Sequence, residues 1–470
     1  MFDLQGERDA QQQDLTALQR LVDTLAEEEA TAHEIEVTLR QAHYAEAVGD
    51  YPAATVAAQK AMAASKRQND LLRQAESLNQ LGLTARRQGD FKGAGKWYRQ
   101  AVDSFQKKST YTREEAEAYI QILNGLGVVF RQQGEIIEAT SNFELALELS
   151  RSQNYRRYEA EALNHLGVTA FYQRDFNSAL AFHQQALTIR QAIGDRAGEG
   201  TSLFNLAIAL RDQGNYGQAQ EIFEKALNIQ QSTGNLWEET NVWISWGILN
   251  QELGMFNDAE SCLQKALQLC RKINDESGVA FVLCNLGLLQ YEMGKPTLSE
   301  QTLLSGLAVA QAQSDTYLEA SFYNYLSLVN LQSGQFDKVF DQANQALTLR
   351  ESLGIHSKLV DSFSTLAAGY LNKNDLHNAL DYANKSRIML DEAGGEGPEF
   401  PQRDYFICFQ VFVAARQHQQ AKAALQSAYD LVMDRAKKIT DPKLRQSFLE
   451  NVPINRDIVR TYTSNSHLNI

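Results

Sequence analysis

The side chains best suited to chemistry in this 470-residue chain are two ladders of amide and guanidinium groups. Asn79, Asn124, Asn164 and Asn324 keep one register, Arg86, Arg131 and Arg211 keep a second register seven positions further on, and Tyr172 stands one position beyond that. An asparagine side chain presents a donor and an acceptor, which suits the backbone of an extended peptide, and arginine presents a planar fork of donors that suits a carboxylate or phosphate. Steps of three and four residues keep to one face of a helix, so both registers share a stripe. The chemistry expected from these eight residues is recognition of a protein or peptide ligand with an acidic segment. The same residues would also serve as solvated helix faces, with Asn bridging neighbouring helices and Arg paired to a nearby Glu.

Patterns for bond-breaking chemistry fail on spacing. GDFKGAGKW (Gly89 to Trp97) resembles a phosphate loop only until the required first glycine, where Asp90 stands. The eight histidines form no HExxH and no pair at ligand spacing, and no nucleophile elbow or Cys/His arrangement is present. A non-enzymatic chain without cofactor or metal is expected. Cys262, Cys270, Cys284 and Cys408 lie inside helical patterns without CxxC pairing, as buried reduced thiols do.

The elements that position the ladders come from repetition. LGVTAFYQRDFNSALAFHQQAL (166–187) is followed forty residues later by LAIALRDQGNYGQAQEIFEKAL (206–227), with small, large and turn residues in the same places. A column of small residues runs through Gly127, Gly167, Ala207, Gly247, Gly287, Ser327 and Ala367. Two more follow it, one through Ala139, Ala179, Ala219 and Ala259, the other through Ala146, Ala186, Ala226 and Ala266. Paired columns at Ala54/Ala61, Ala94/Ala101 and Ala421/Ala428 extend the count to ten units. Within each unit two apolar-periodic helices flank a Gly/Asn/Asp break, which is a helix hairpin. Small facing residues let the axes approach to about 8–10 Å. Gly194, Gly234, Asn274 and Gly354 suit left-handed helix ends, and Asp195, Asn235 and Asp275 suit the next helix's N-cap. His183 shares the column of Tyr98, Phe143 and Phe223, the place of a packing residue.

Composition agrees. The chain has 44% hydrophobic residues, six prolines, abundant helix formers and no linker-like stretch, so it reads as all-α. A formal charge of −14 repels phosphate backbones and anionic lipid, and no stretch reaches a membrane span's length, so neither nucleic acid nor membrane is expected as a partner and a cytoplasmic location is.

The Leu-Gly pairs at 81–82, 126–127, 166–167 and 286–287, the two alanine columns and the aromatic between them resemble the tetratricopeptide repeat. The forty-residue period and the missing closing proline depart from the common 34-residue form. They resemble the longer class of kinesin light chains, Leu-Gly-Asn repeat spindle adaptors and bacterial sensor-regulator arrays. The resemblance implies a right-handed superhelical solenoid of about ten helix hairpins with N- and C-terminal capping helices, whose concave groove is lined by the stripe carrying the two ladders. The expected organisation is an N-terminal capping helix at 1–35, the solenoid at 36–436, and capping helices with a tail at 437–470. The tail, read as two helices divided at Pro453, resembles the segment that closes such arrays in large bacterial signalling proteins. Glu27–Glu29 are expected either as a solvated face or as an occupant of the basic groove. The function implied is a protein–protein interaction scaffold that binds a peptide or protein segment in its groove. The alternative is a ligand-sensing regulatory array controlling a separate effector in a bacterial signalling or defence system. Oligomeric state is left open.

Overall fold

The structure, a computed structural model, describes residues 4–22, 27–105, 108, 110–392 and 398–465, the side chains of 4–10, 21–22, 27–32 and 465 excepted. Among these residues there are helices and no strand. Helix α1 (Leu4–Val22) precedes α2 (Glu27–Ala47) and α3 (Tyr51–Arg67), α4 (Leu71–Arg87) and α5 (Phe91–Phe105), α6 (Arg113–Gln132) and α7 (Ile136–Ser152), and α8 (Arg156–Tyr172) and α9 (Phe176–Ile193). Next come α10 (Arg196–Gln213) and α11 (Tyr216–Thr233), α12 (Leu236–Glu252) and α13 (Phe256–Lys272), α14 (Glu276–Glu292) and α15 (Pro296–Ala312), and α16 (Thr316–Gln332) and α17 (Phe336–Ser352). A short 3-10 turn leads to α18 (Leu359–Asn372) and α19 (Leu376–Glu392), α20 (Pro401–Ala414) and α21 (His418–Lys438), and finally α22 (Pro442–Glu450) and α23 (Pro453–Asn465).

Two compact units divide the chain, Met1–Ala209 and Leu210–Ile470, with the division inside α10. In each unit consecutive helices pack as hairpins, and the first helices of neighbouring hairpins also touch one another, so that they stand side by side as a continuous face. The three small columns fall where the sequence places them, the first on the leading helix of each hairpin and the other two on the trailing helix.

Why the first column must be small is visible from what a β-carbon would meet. At Gly127 it would lie 2.6 Å from the Phe143 ring, at Gly167 2.6 Å from His183, and at Gly287 2.3 Å from Leu303 Cδ2. Each large residue of the second helix is seated on the bare backbone of the first, which is close packing by knob and gap. His183 is 1% exposed and fills the place that Phe143 and Phe223 fill in their repeats. Its Nδ1 lies 3.1 Å from Asn164 Oδ1, and burial lowers its pKa to about 3, so it is a neutral packing residue.

The joints follow the same local physics. Gly194, Gly234 and Asn274 have φ of 72°, 70° and 56°, the left-handed turn that ends a helix. Asp195, Asn235 and Asp275 then accept the backbone N–H of Gly198, Glu238 and Gly278 at 3.0, 3.2 and 2.9 Å. Pro296 opens α15, where its missing N–H costs nothing. All four cysteines are buried and unpaired. The acidic run Glu27–Glu29 opens α2, and its side chains lie outside the described residues.

Helices α22 and α23 are divided at Pro453 and pack on α20 and α21. Within the second unit they also return to a hairpin nearly two hundred residues earlier, where Asn451 Nδ2 donates to the Gly254 carbonyl at 3.3 Å.

Candidate functional site

In the first unit, the leading helices α4, α6 and α8 frame a cleft of about 490 Å³. Helix α4 contributes Asn79, Leu83 and Arg86, α6 contributes Gln121, Asn124 and Gly125, and α8 contributes Arg157, Tyr158, Glu161 and His165. Three successive repeats thus present the same stripe to one space. Asn79, Arg86 and Asn124, read from the ladders, border this cleft together.

Asn124 is 3% exposed, and neither its Nδ2 nor its Oδ1 has a hydrogen-bond partner among the described residues. Buried amides are normally satisfied, and one left bare costs about 1–3 kcal/mol per group. Arg86 is half-buried and makes no ion pair among the described residues. Arg131 makes none either: its guanidinium lies 5.7 Å from the centre of the Phe143 ring and 5.9 Å from that of Tyr172, and its Nη1 reaches the His165 carbonyl only at 3.5 Å. Burial, reinforced by the nearby charge of Arg86, lowers the pKa of Arg131. Arg86 and Arg131 are therefore held close together without an ion pair of their own, the cleft's Glu161 standing beside His165, and an anion would relieve both their repulsion and their desolvation. Tyr172 is 63% exposed beside Arg131.

The remaining ladder residues have partners. Asn164 Oδ1 accepts from Asn205 Nδ2 at 2.9 Å. Arg211 and Asn324 belong to the second unit. Arg211 Nε donates to Asp212 at 2.8 Å, and Asn324 Oδ1 accepts from Arg350 Nη1 at 3.4 Å. Arg350, Asp361, Arg403 and Asp404 form a buried ionic cluster beneath that asparagine, with Asp361 and Asp404 fully enclosed.

Other wall residues of the first cleft, among them Gln121, Arg157, Tyr158, Glu161 and His165, stand outside the two ladders. Gln121 donates to the Tyr158 hydroxyl at 2.8 Å, and Tyr158 donates to Glu117. His165 Nε2 stands 3.8 Å from Glu161, and its ring stacks on Phe143 with centroids 4.9 Å apart. Burial pushes the His165 pKa down, so it adds no charge near neutral pH. Gln121 and Glu161 share one repeat position, six residues before the first small column, and Glu161 and His165 are one helical turn apart, so these are legible signals, whereas Tyr158 recurs in no column.

In the second unit, the leading helices α14, α16, α18 and α20 border a cavity of about 700 Å³, closed on one side by Asn451, Pro453, Ile454, Arg456 and Asp457 of the tail. Beside it, Glu252 and Glu292 share a smaller space with Glu399, Arg435, Phe448 and Asn455. Glu292 accepts from Gln251 Nε2 at 2.8 Å. Burial, with Glu399 and Glu252 close by, pushes its pKa up to about 7 against the opposing Gln251 hydrogen bond and Arg403. Among the described residues no group of His, Cys, Asp and Glu is placed to hold a metal ion, and no helix is long and apolar enough to cross a membrane.

Comparison with known proteins agrees with this architecture. The tetratricopeptide repeat profile matches residues 118–192, 158–232 and 238–312, and a second profile of the same repeat matches 74–108. No curated protein matches the sequence. Among solved structures, the apo form of RapI is 15% identical with a TM-score of 0.56, over 77% of this chain and 99% of that one. The apo quorum sensor NprR from B. thuringiensis is 13% identical with a TM-score of 0.55, over 76% and 98%. Aspartyl phosphate phosphatase F from Bacillus subtilis is 13% identical with a TM-score of 0.50, over 75% and 92%. At these identities the likeness is one of fold. Repeat columns, hairpin packing and profile matches together show that the chain is built of tetratricopeptide repeats, matched at residues 74–108, 118–232 and 238–312.

Proposed function

We propose that the first unit binds an extended, acidic protein segment in the cleft between α4, α6 and α8. The observation that carries this reading is Asn124, whose amide is buried in the cleft wall with both polar atoms bare, on a wall shared with Arg86, which makes no ion pair among the described residues. A peptide backbone supplies what the amide lacks, an acceptor for Nδ2 and a donor for Oδ1, and a carboxylate supplies what Arg86 and Arg131 lack. Asn79 and Tyr172 extend the contact along the same stripe. Asn164, with a partner of its own, acts as a support, and Arg211 and Asn324 stand in the second unit, outside this cleft. The charge of −14 over the whole chain makes a local cationic cleft selective, because an acidic ligand is repelled everywhere else.

The test is selection of random dodecapeptides on the full chain, followed by fluorescence anisotropy with the strongest binders. Acidic peptides should be enriched, and Arg86→Ala and Asn124→Leu should each weaken binding about tenfold or more. Absence of enrichment, neutral or basic winners, or affinities unmoved by both substitutions would refute the proposal.

A further inference from the structure

The tail of the second unit is seated like a ligand. Phe448 and Ile458 are 2% and 0% exposed, and Asn455 is 1% exposed. Phe448 and Asn455 face the space bordered by Ile248 and Leu288 of the leading helices α12 and α14. These are the helices whose counterparts frame the cleft of the first unit. The contact is close at its rim, where a β-carbon on Gly254 would lie 2.8 Å from the Ser447 carbonyl oxygen. A short amphipathic pair of helices thus occupies a face that the repeat architecture leaves open for a partner.

The fit is incomplete at identifiable places. Glu292 faces the tail with Gln251 as its hydrogen-bond donor and with no ion pair among the described residues. Glu252 shares that space, where Arg435 is the neighbouring cation, and Glu399 accepts from the Tyr325 hydroxyl at 2.6 Å. Opposite them the tail presents Asn455, whose Nδ2 turns back to the Phe448 carbonyl at 3.0 Å and whose buried Oδ1 has no partner among the described residues. Of the cations that border these spaces, Arg403 is paired with Asp361 and Asp404 and Arg456 with Asp457, while Arg435 lies beside Glu252 and makes no ion pair with Glu292. An unpaired carboxylate on one side, a bare acceptor on the other and about 700 Å³ of adjoining cavity mark the position that a further cation would fill.

We infer that this face of the second unit is a docking surface for an amphipathic helix carrying one lysine or arginine among its apolar residues, and that residues 441–465 hold it in cis as a weaker ligand of the same kind. The cis segment wins by effective concentration, which is in the millimolar range for a short tether. A partner that supplies the missing cation displaces it by affinity.

The test uses the full chain and two fluorescein-labelled peptides of residues 441–465, one native and one carrying Asn455→Lys. A released variant, Phe448→Asp/Ile458→Asp, removes the apolar anchors of the tail without touching the ten hairpins. Both peptides should bind the released variant, the Asn455→Lys peptide about tenfold more tightly, with that gain abolished by adding Glu292→Gln. A folded released variant that binds neither peptide, or both equally, overturns the inference. Should the wild-type chain, its tail intact, form tail-swapped dimers, a second copy of the chain is the occupant and the assignment to a different partner falls. Should the released variant unfold, hydrogen exchange on the wild-type chain decides. Excess Asn455→Lys peptide should deprotect residues 442–465 while α12 and α14 stay protected, and unchanged protection of the tail overturns the proposal.

Discussion

Replacing Asn124 by leucine should make the protein more stable and a poorer binder. Leucine keeps the branch at Cγ and removes the two bare polar atoms. Each buried unpaired group costs about 1–3 kcal/mol, so relieving both is worth roughly 2–6 kcal/mol. Imperfect fit of the leucine returns roughly 1–3 kcal/mol, the usual cost of reshaping a packed site. Asn124 is buried and lines the cleft together with Tyr98, Asn79 and Arg86, so the cleft offers room for adjustment. The net expectation is a stabilisation of about 1–3 kcal/mol. Urea unfolding followed by circular dichroism measures it, and hydrogen exchange in α6 locates it, since a repeat array need not unfold in one step. A loss of stability of 1 kcal/mol or more would refute the reasoning, because it would show that the amide is satisfied in the free protein and is not held in wait for a ligand. Weakened peptide binding together with increased stability is the signature of a site that sacrifices stability for recognition.

Other consequences are as direct. Gly287→Ala puts a methyl group 2.3 Å from Leu303 Cδ2 and should cost about 1–3 kcal/mol, part of it recovered in the double variant with Leu303→Ala, as urea unfolding would show. Asp361→Asn leaves Arg350 and Arg403 short of a buried counter-charge and should cost about 3–5 kcal/mol, whereas an effect below 1 kcal/mol would mean the cluster is well hydrated. Glu292 has its pKa raised by burial, so its favourable share of stability is complete below the unfolded-state value near 4.5 and is lost as pH rises to about 7. Glu292→Gln should therefore leave the free energy of unfolding, measured by urea titration, nearly unchanged at pH 5 and raise it at pH 8, by an amount on the order of 3 kcal/mol at most.

How much of this was legible beforehand differs by level. Repeat number, hairpin boundaries and the packing role of His183 follow from spacing, because a forty-residue period forces each side chain into the environment of its counterpart one unit away. Caps and left-handed joints are equally local: Asp195 and Gly194 carry their geometry in their own backbone preferences. The stripe holding Asn79, Arg86 and Asn124 could be drawn from helical periodicity alone. Their isolation from partners could not, since whether an arginine finds a carboxylate depends on which side chains other helices bring within about 4 Å. Arg86 and Arg211 occupy the same repeat position, yet one makes no ion pair among the described residues and the other is paired with Asp212.

The sequence by itself determined an array of helix hairpins and the face that each leading helix offers, since both depend on interactions between residues close along the chain. Tertiary structure decided which parts of that face are open. The amide of Asn124 is bare, Asn324 rests on a buried ionic cluster, and Asn451 meets Gly254 across 197 positions of sequence. No periodic signal announces a contact of that range, because the tail is not a repeat and its partner surface exists only once the hairpins have stacked.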